Sequence, residues 1–143
     1  MIRLSRVGYD NTIGYLEGGF ESWKKSGKET DSLKRITGEQ LEDMLLTANL
    51  PLFDVRKKSE FDSEHLLNSV NIPLNQLNNK LESFPKDTSF VIYCAGGYRS
   101  MIAASILKQR GFDNFVDVSD GFNEISKITK LPKTEYVCPS SLL

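Results

Sequence analysis

Cysteine is scarce in this chain of 143 residues, with only Cys94 and Cys138 present. Two cysteines cannot form a disulfide scaffold, and beside the single histidine, His65, they leave no usual zinc-ligand set, so no metal is expected. No apolar run reaches the roughly 18 residues of a membrane span, and no signal-type hydrophobic stretch opens the chain. Neither sign of charge dominates: 18 Lys and Arg stand against 19 Asp and Glu, a net charge of −1. A chain so balanced has no field to attract nucleic acid or an anionic membrane, and neither is expected as a partner. The expected location is cytoplasmic. What remains is an ordinary globular composition, 39% hydrophobic and 26% charged, in a length that suits one domain with a modest core.

Against that background residues 90–105, FVIYCAGGYRSMIAAS, stand out. A β-type run, Phe90-Val91-Ile92-Tyr93, stops at Cys94; Gly96, Gly97 and Arg99 follow, and then an alanine-rich helical pattern begins. A thiol is thereby set where a strand ends and a helix starts. Main-chain N–H groups and the helix dipole favour negative charge there, and Arg99 adds a fixed positive charge. Gly96 and Gly97 let the backbone bend so that the amides converge on one point. Such a loop suits a nucleophilic cysteine.

The rest of the chain alternates. Thr37-Gly38-Glu39-Gln40 predicts a capped helix start, with Leu41, Met44, Leu45 and Ala48 on one face. Strands are expected over 52–55, 70–72, 90–93 and 115–118, and helices over 59–66, around Leu74, Leu77 and Leu81, over 99–110, and over 120–130. Alternation of this kind implies a parallel sheet covered on both faces, with active residues at the carboxyl ends of its strands. Asp54 to Arg56 and Cys94 both fall at such ends. An internal echo adds a second feature. Gly8-Tyr9-Asp10-Asn11 with Gly19-Phe20 recurs as Gly111-Phe112-Asp113-Asn114 with Gly121-Phe122, and residues 2–7 match the tail of the helix that precedes the later copy. Residues 1–28 are therefore expected to be the back end of one domain, 29–34 a linker, 35–130 a whole second domain, and 131–143 a tail.

The ordered motifs Asp54-Val55-Arg56, Glu60-Phe61, His65, Val70-Asn71-Ile72-Pro73-Leu74, Cys94-Ala95-Gly96-Gly97-Tyr98-Arg99-Ser100 and Gly121-Phe122 resemble the rhodanese family of sulfurtransferases. The resemblance implies an α/β, rhodanese-like parallel five-stranded sheet with helices on both faces. It implies sulfur transfer through a Cys94 persulfide, from thiosulfate or a low-molecular-weight persulfide to a thiol acceptor such as glutathione. No cofactor is expected in this stretch. Arg99, Ala95, Gly96, Gly97, Tyr98, Ser100 and Arg56 would bind substrate, with Asp54 and Glu60 in support. Glu64, Leu67 and Asn68 depart from the family's usual Gly-His-Ile-Pro-Gly turn, and Ser119-Asp120 from Glu-Gly. Residues 1–28, with Leu16-Glu17-Gly18-Gly19-Phe20 and Trp23, are similar to the end of another such domain. That pairing is similar to bacterial fusions of a metallo-β-lactamase-fold persulfide dioxygenase with tandem rhodanese domains, which makes an upstream metal-dependent domain an expected partner.

Several residues carry blander readings beside these. Asp54 suits hydrogen bonding to turn amides better than reaction. Arg56 reads equally as an internal ion-pair partner or a substrate contact, and His65 as a hydrogen-bonded structural histidine. Cys138 stands in a polar, proline-bearing tail as a bystander, with a sulfur relay as the alternative. The whole domain also has a non-catalytic reading, as a binding or regulatory module. Loop length separates two chemistries: Cys94 to Arg99 is a C-x4-R spacing, one residue shorter than the C-x5-R loop with which related phosphatases enclose a tetrahedral phosphate.

Overall fold

The computed structural model describes residue 11, residues 13–138 and residue 141. The expected helix tail at 2–7 and the echo residues 8–10 lie outside the described residues. The chain divides into two compact units, the first ending at Ser32 and the second starting at Leu33. In the first, α1 (Gly19–Lys25) buries none of its residues, and Trp23 Nε1 donates to Glu29 O at 2.8 Å.

The second unit runs β1 (Arg35–Ile36), α2 (Gly38–Thr47), β2 (Leu52–Asp54), α3 (Lys58–Ser63), β3 (Ser69–Asn71), β4 (Phe90–Tyr93), α4 (Tyr98–Gln109), β5 (Phe115–Val118) and α5 (Phe122–Ile125). Its five strands are all parallel, in the order β1-β5-β4-β2-β3. This is the expected α/β sheet. Side chains of β4 alternate between its faces, as a strand period of two requires. Phe90 and Ile92 join Phe53, Leu107 of α4, Phe112 and Phe115 on one face, while Val91 and Tyr93 join Leu41 of α2, Val118 and Ile125 of α5 on the other. Phe90 is the hub of the first face, its ring 5.4 Å from Phe53 and 5.5 Å from both Phe84 and Phe115.

Helix α2 starts as its capping box predicts: Thr37 Oγ1 accepts from Gln40 N and Gln40 Oε1 from Thr37 N. Elsewhere the elements differ from expectation, each for a visible reason. The fifth strand, β1, lies in a stretch that shows no strand pattern. The helix expected around Leu74 to Leu81 is two 3₁₀ segments, Leu74–Asn79 and Leu81–Ser83, closed by short bonds such as Gln76 N to Pro73 O at 2.7 Å. Helix α3 starts at Lys58, one residue early, because Glu60 accepts from the Lys57 N–H; it ends at Ser63, where Glu64 turns extended and gives its carbonyl to Arg56. The last helix stops at Ile125 rather than 130. The ammonium of Lys133 takes the carbonyls of Ser126 and Ile128 at 2.7 and 2.9 Å and closes the turn.

Candidate active site

In the strand order, the chain leaves β2 toward β3 on one side and β4 toward β5 on the other. Between β2 and β4 the winding reverses, and a crevice opens at their carboxyl ends, where open parallel sheets bind their ligands. The end of β2 and the turn after it hold Asp54, Val55 and Arg56; the loop after β4 starts at Cys94. Val55 N donates to Tyr93 O at 2.9 Å, which joins the two turns.

Cys94 is a free thiol, 1% exposed. Its loop is held from outside. Phe122 N donates to Cys94 O at 2.7 Å and Asn123 N to Ala95 O at 2.9 Å, so the first two residues of α5 take the first two loop carbonyls. The N–H groups of residues 95–100 have no protein acceptor among the described residues. Ser100 Oγ, fully buried in the first turn of α4, also lacks a partner among the described residues. Unpaired N–H groups at a helix start are a ready anion cradle. Two glycines are obligatory here. Gly97 has φ 80°, and a Cβ on it would run into Ser119 O; Gly121 has φ 62°, and a Cβ on it would stand 2.5 Å from Cys94 O. Asp120 fixes that second turn to α2, both its oxygens accepting from Gly38 N at 3.1 and 3.2 Å. The departure from Glu-Gly at Ser119-Asp120 thus supplies a further helix cap.

Glu60 and Arg99 meet as a bidentate pair, Nη1 to Oε2 at 2.6 Å and Nη2 to Oε1 at 2.8 Å. The hydrogen bond to Glu60 pushes Arg99 above its ordinary range, and the charges of Glu60, Cys94 and Asp54 act in the same direction. Arg99, expected to bind substrate, is paired with Glu60 across α4 and α3, within electrostatic reach of Cys94. Arg56, open to two readings in the sequence, takes the internal one. It is 5% exposed, its Nε and Nη2 donate to Asp54 Oδ2 at 2.8 and 2.6 Å, Nη2 also reaches Glu64 O, and its guanidinium stacks over the Phe122 ring at 4.0 Å. Asp54 accepts from the Arg56 N–H as well, at 2.9 Å; burial pushes its carboxyl up, against the pull of Arg56. Tyr98 stands exposed at the loop's rim, Gly96 is exposed and Ala95 half-buried.

His65 carries its Nδ1 proton to Phe61 O at 2.6 Å and stacks on the Phe61 ring, a structural arrangement. Cys138 is exposed. Sequence reasoning did not single out two supports. Asn71 Nδ2 donates to the carbonyls of Asp54 and Arg56, at 2.9 and 3.0 Å, and so fixes the turn after β2. Arg35 Nε donates to the buried Asp117 Oδ2 at 2.8 Å, beside the Cys94 loop. Asn71 had a signal in its Val-Asn-Ile-Pro motif; Arg35 had none.

Fold and site together define a parallel α/β domain built around one loop-held thiol at a topological switch point. The Rhodanese-like domain family matches residues 37–128, and the chain belongs to it. Among curated proteins, the adenylyltransferase and sulfurtransferase uba4 of Ogataea parapolymorpha is 40% identical over 77 residues, 53% of this chain and 20% of that protein. YqhL of Bacillus subtilis is 32% identical over 92 residues, 64% of this chain and 71% of that protein. The crystal structure of a rhodanese-related protein from Thermoplasma volcanium superposes with a TM-score of 0.63 at 29% identity, over 71% of this chain and 97% of that one. The chain thus spans about a fifth of the length of uba4.

Proposed function

We propose that the chain is a sulfurtransferase in which Cys94 carries sulfane sulfur as a persulfide. The observation that carries this reading is the cradle. The loop's outer carbonyls are tied to Phe122 and Asn123, while the N–H groups of residues 95–100 and the Ser100 hydroxyl have no partner in the described protein. An anionic terminal sulfur meets those donors; nothing in the loop serves as a base, and sulfur transfer between thiolates needs none. In the first half-reaction the Cys94 thiolate attacks the outer sulfur of thiosulfate. A new S–S bond forms, the donor's S–S bond breaks, and sulfite leaves with the electron pair. In the second, an acceptor thiolate such as glutathione attacks the terminal sulfur and Cys94 leaves as thiolate. A low-molecular-weight persulfide serves as donor by the same exchange. The sulfurtransferase named among the relatives supports this reading, as does the short C-x4-R loop. Thiol chemistry of this kind belongs in a reducing compartment, which fits a cytoplasmic location.

The same reading makes residues 1–28 the end of a preceding rhodanese-like domain in a longer protein with a metal-dependent domain upstream. Its support is local: Gly19-Phe20 and Gly121-Phe122 both stand at helix starts, Gly19 as the first residue of α1 and Gly121 as the cap of α5, each with positive φ.

Intact-mass spectrometry after brief incubation with thiosulfate or glutathione persulfide tests the function. The expected result is a gain of about one sulfur atom, reversed by cyanide or thiol and absent in Cys94→Ser. No adduct with either donor overturns the reading in favour of a binding module.

A further inference from the structure

Three arginines lie on or beside the turns that surround Cys94, and their hydrogen bonds divide them. Arg56 is buried, with Nε and Nη2 on Asp54. Arg99 has both Nη nitrogens on Glu60. Arg35 is different. Only its Nε meets a carboxylate, Asp117 Oδ2 at 2.8 Å, and its side chain is 34% exposed. Neither Nη nitrogen of Arg35 has a carboxylate partner among the described residues; Nη2 makes only a long contact to Ser119 O, at 3.4 Å. That same Nη2 lies 3.0 Å from the point where a Cβ on Gly97 would stand, so it rests against the Cys94 loop itself.

The pairing with Asp117 has a cost that strand pairing alone does not explain. Asp117 is fully buried on β5, opposite Arg35 in register, and its Oδ1 has no hydrogen-bond partner among the described residues. A buried carboxylate with an unpaired oxygen adds little stability, and two apolar residues would join β1 to β5 as well. What the carboxylate does achieve is to hold the guanidinium by its Nε. Its Nη2 is left against Gly97 of the loop, with no carboxylate on it among the described residues.

We infer that Arg35 is a specificity-determining residue of the proposed sulfur transfer, its Nη groups binding the sulfonate of thiosulfate while the outer sulfur meets Cys94. This rests on the Cys94 reading above. The balance is that of the first half-reaction: the thiolate and thiosulfate become the persulfide and sulfite, with no oxidant and no net proton. Sulfite departs as a dianion, and a guanidinium not already clamped by a carboxylate fork gives it a charge-assisted, planar partner. Gly97 is part of the same device, since any side chain there would meet both Ser119 O and Arg35 Nη2.

Two measurements test the inference. In the Cys94→Ser background, where no turnover occurs, calorimetry follows thiosulfate binding with and without Arg35→Gln and Arg35→Lys. Arg35→Gln is expected to weaken binding about tenfold and Arg35→Lys by less than about threefold, in line with loss or retention of a charged hydrogen bond. In the otherwise wild-type chain, Arg35→Gln is expected to raise KM for thiosulfate by a similar factor and to leave KM for an alkyl persulfide, a donor with no sulfonate, within about twofold. Unchanged thiosulfate binding in Arg35→Gln overturns the inference, as does an equal loss with both donors, which would mark Arg35 as a strand staple. If no donor loads Cys94, the sulfurtransferase reading fails on its own evidence, and the calorimetric arm still decides Arg35.

Discussion

Glu60 performs two tasks with one carboxylate. It accepts from the Lys57 N–H at 3.1 Å, which sets the start of α3, and it clamps Arg99 in the first turn of α4. The Arg99 hydrogen bond holds its carboxyl below the usual range, against the opposing effect of partial burial. A depressed folded-state value has a definite sign. The fold binds this proton less tightly than the unfolded chain does, so the stabilisation is fully present above the unfolded value of about 4.3 and is lost as pH falls through the lower folded value. Glu60→Gln is therefore expected to destabilise the fold by at most about 1 kcal/mol near pH 7, the pair being partly solvent-screened. In urea melts the gap between wild type and variant should close below about pH 4. A gap constant from pH 7 to pH 3 would remove the charge from the explanation. At this scale the sequence was readable where a side chain's chemistry is declared by its neighbours: Cys94 by its glycines, Glu60 by its place in a helix start. Arg35 and Asp117 were not readable, because their pairing spans 82 positions and exists only once β1 and β5 are in register.

Among the elements, the short turn from Ser119 to Asn123 has more influence on the site than its length suggests. It binds two carbonyls of the Cys94 loop, and Asp120 ties it to the start of α2. Gly121→Ala would bring a Cβ to 2.7 Å from the Ala95 carbonyl carbon, at a φ that disfavours any side chain. The expected outcome is about 1–3 kcal/mol of lost stability together with at least a tenfold slower sulfur loading of Cys94, since the brace and the loop must move apart. Gly111→Ala is the control. Its φ of 84° carries similar strain, but a Cβ there meets nothing within 4 Å. Comparable loading rates for the two variants, measured by mass spectrometry, would deny the turn a role in shaping the loop. Elements were legible in proportion to their burial. Strands β4 and β5 have the expected bounds because every residue in each is buried and a polar or turn residue follows. The two-residue β1 has no period to detect, and the 3₁₀ segments and truncated α5 were decided by tertiary partners such as Lys133.

At the scale of the whole chain, the family match begins at residue 37 and the second unit at Leu33. All five strands, Cys94, and the paired Glu60 and Arg99 belong to that unit. What precedes it was legible only as an echo, and an echo does not say what those residues do. Helix α1 offers a physical criterion instead. It buries no residue, and Phe20 and Trp23 remain 58% and 42% exposed, so its apolar groups contribute little of the transfer energy that full burial of an aromatic supplies, about 1.5–3 kcal/mol. A chain starting at Leu33 should accordingly melt within about 2 °C of the full-length chain, because a loss of even 1 kcal/mol would lower Tm by about 4–8 °C in a domain of this size. It should also load sulfur on Cys94 at the same rate. Scanning calorimetry and the mass assay on the two chains decide the matter: a Tm lower by more than about 5 °C would mean that the first unit stabilises the second, and unchanged Tm with slower loading would make the first unit a participant in the reaction.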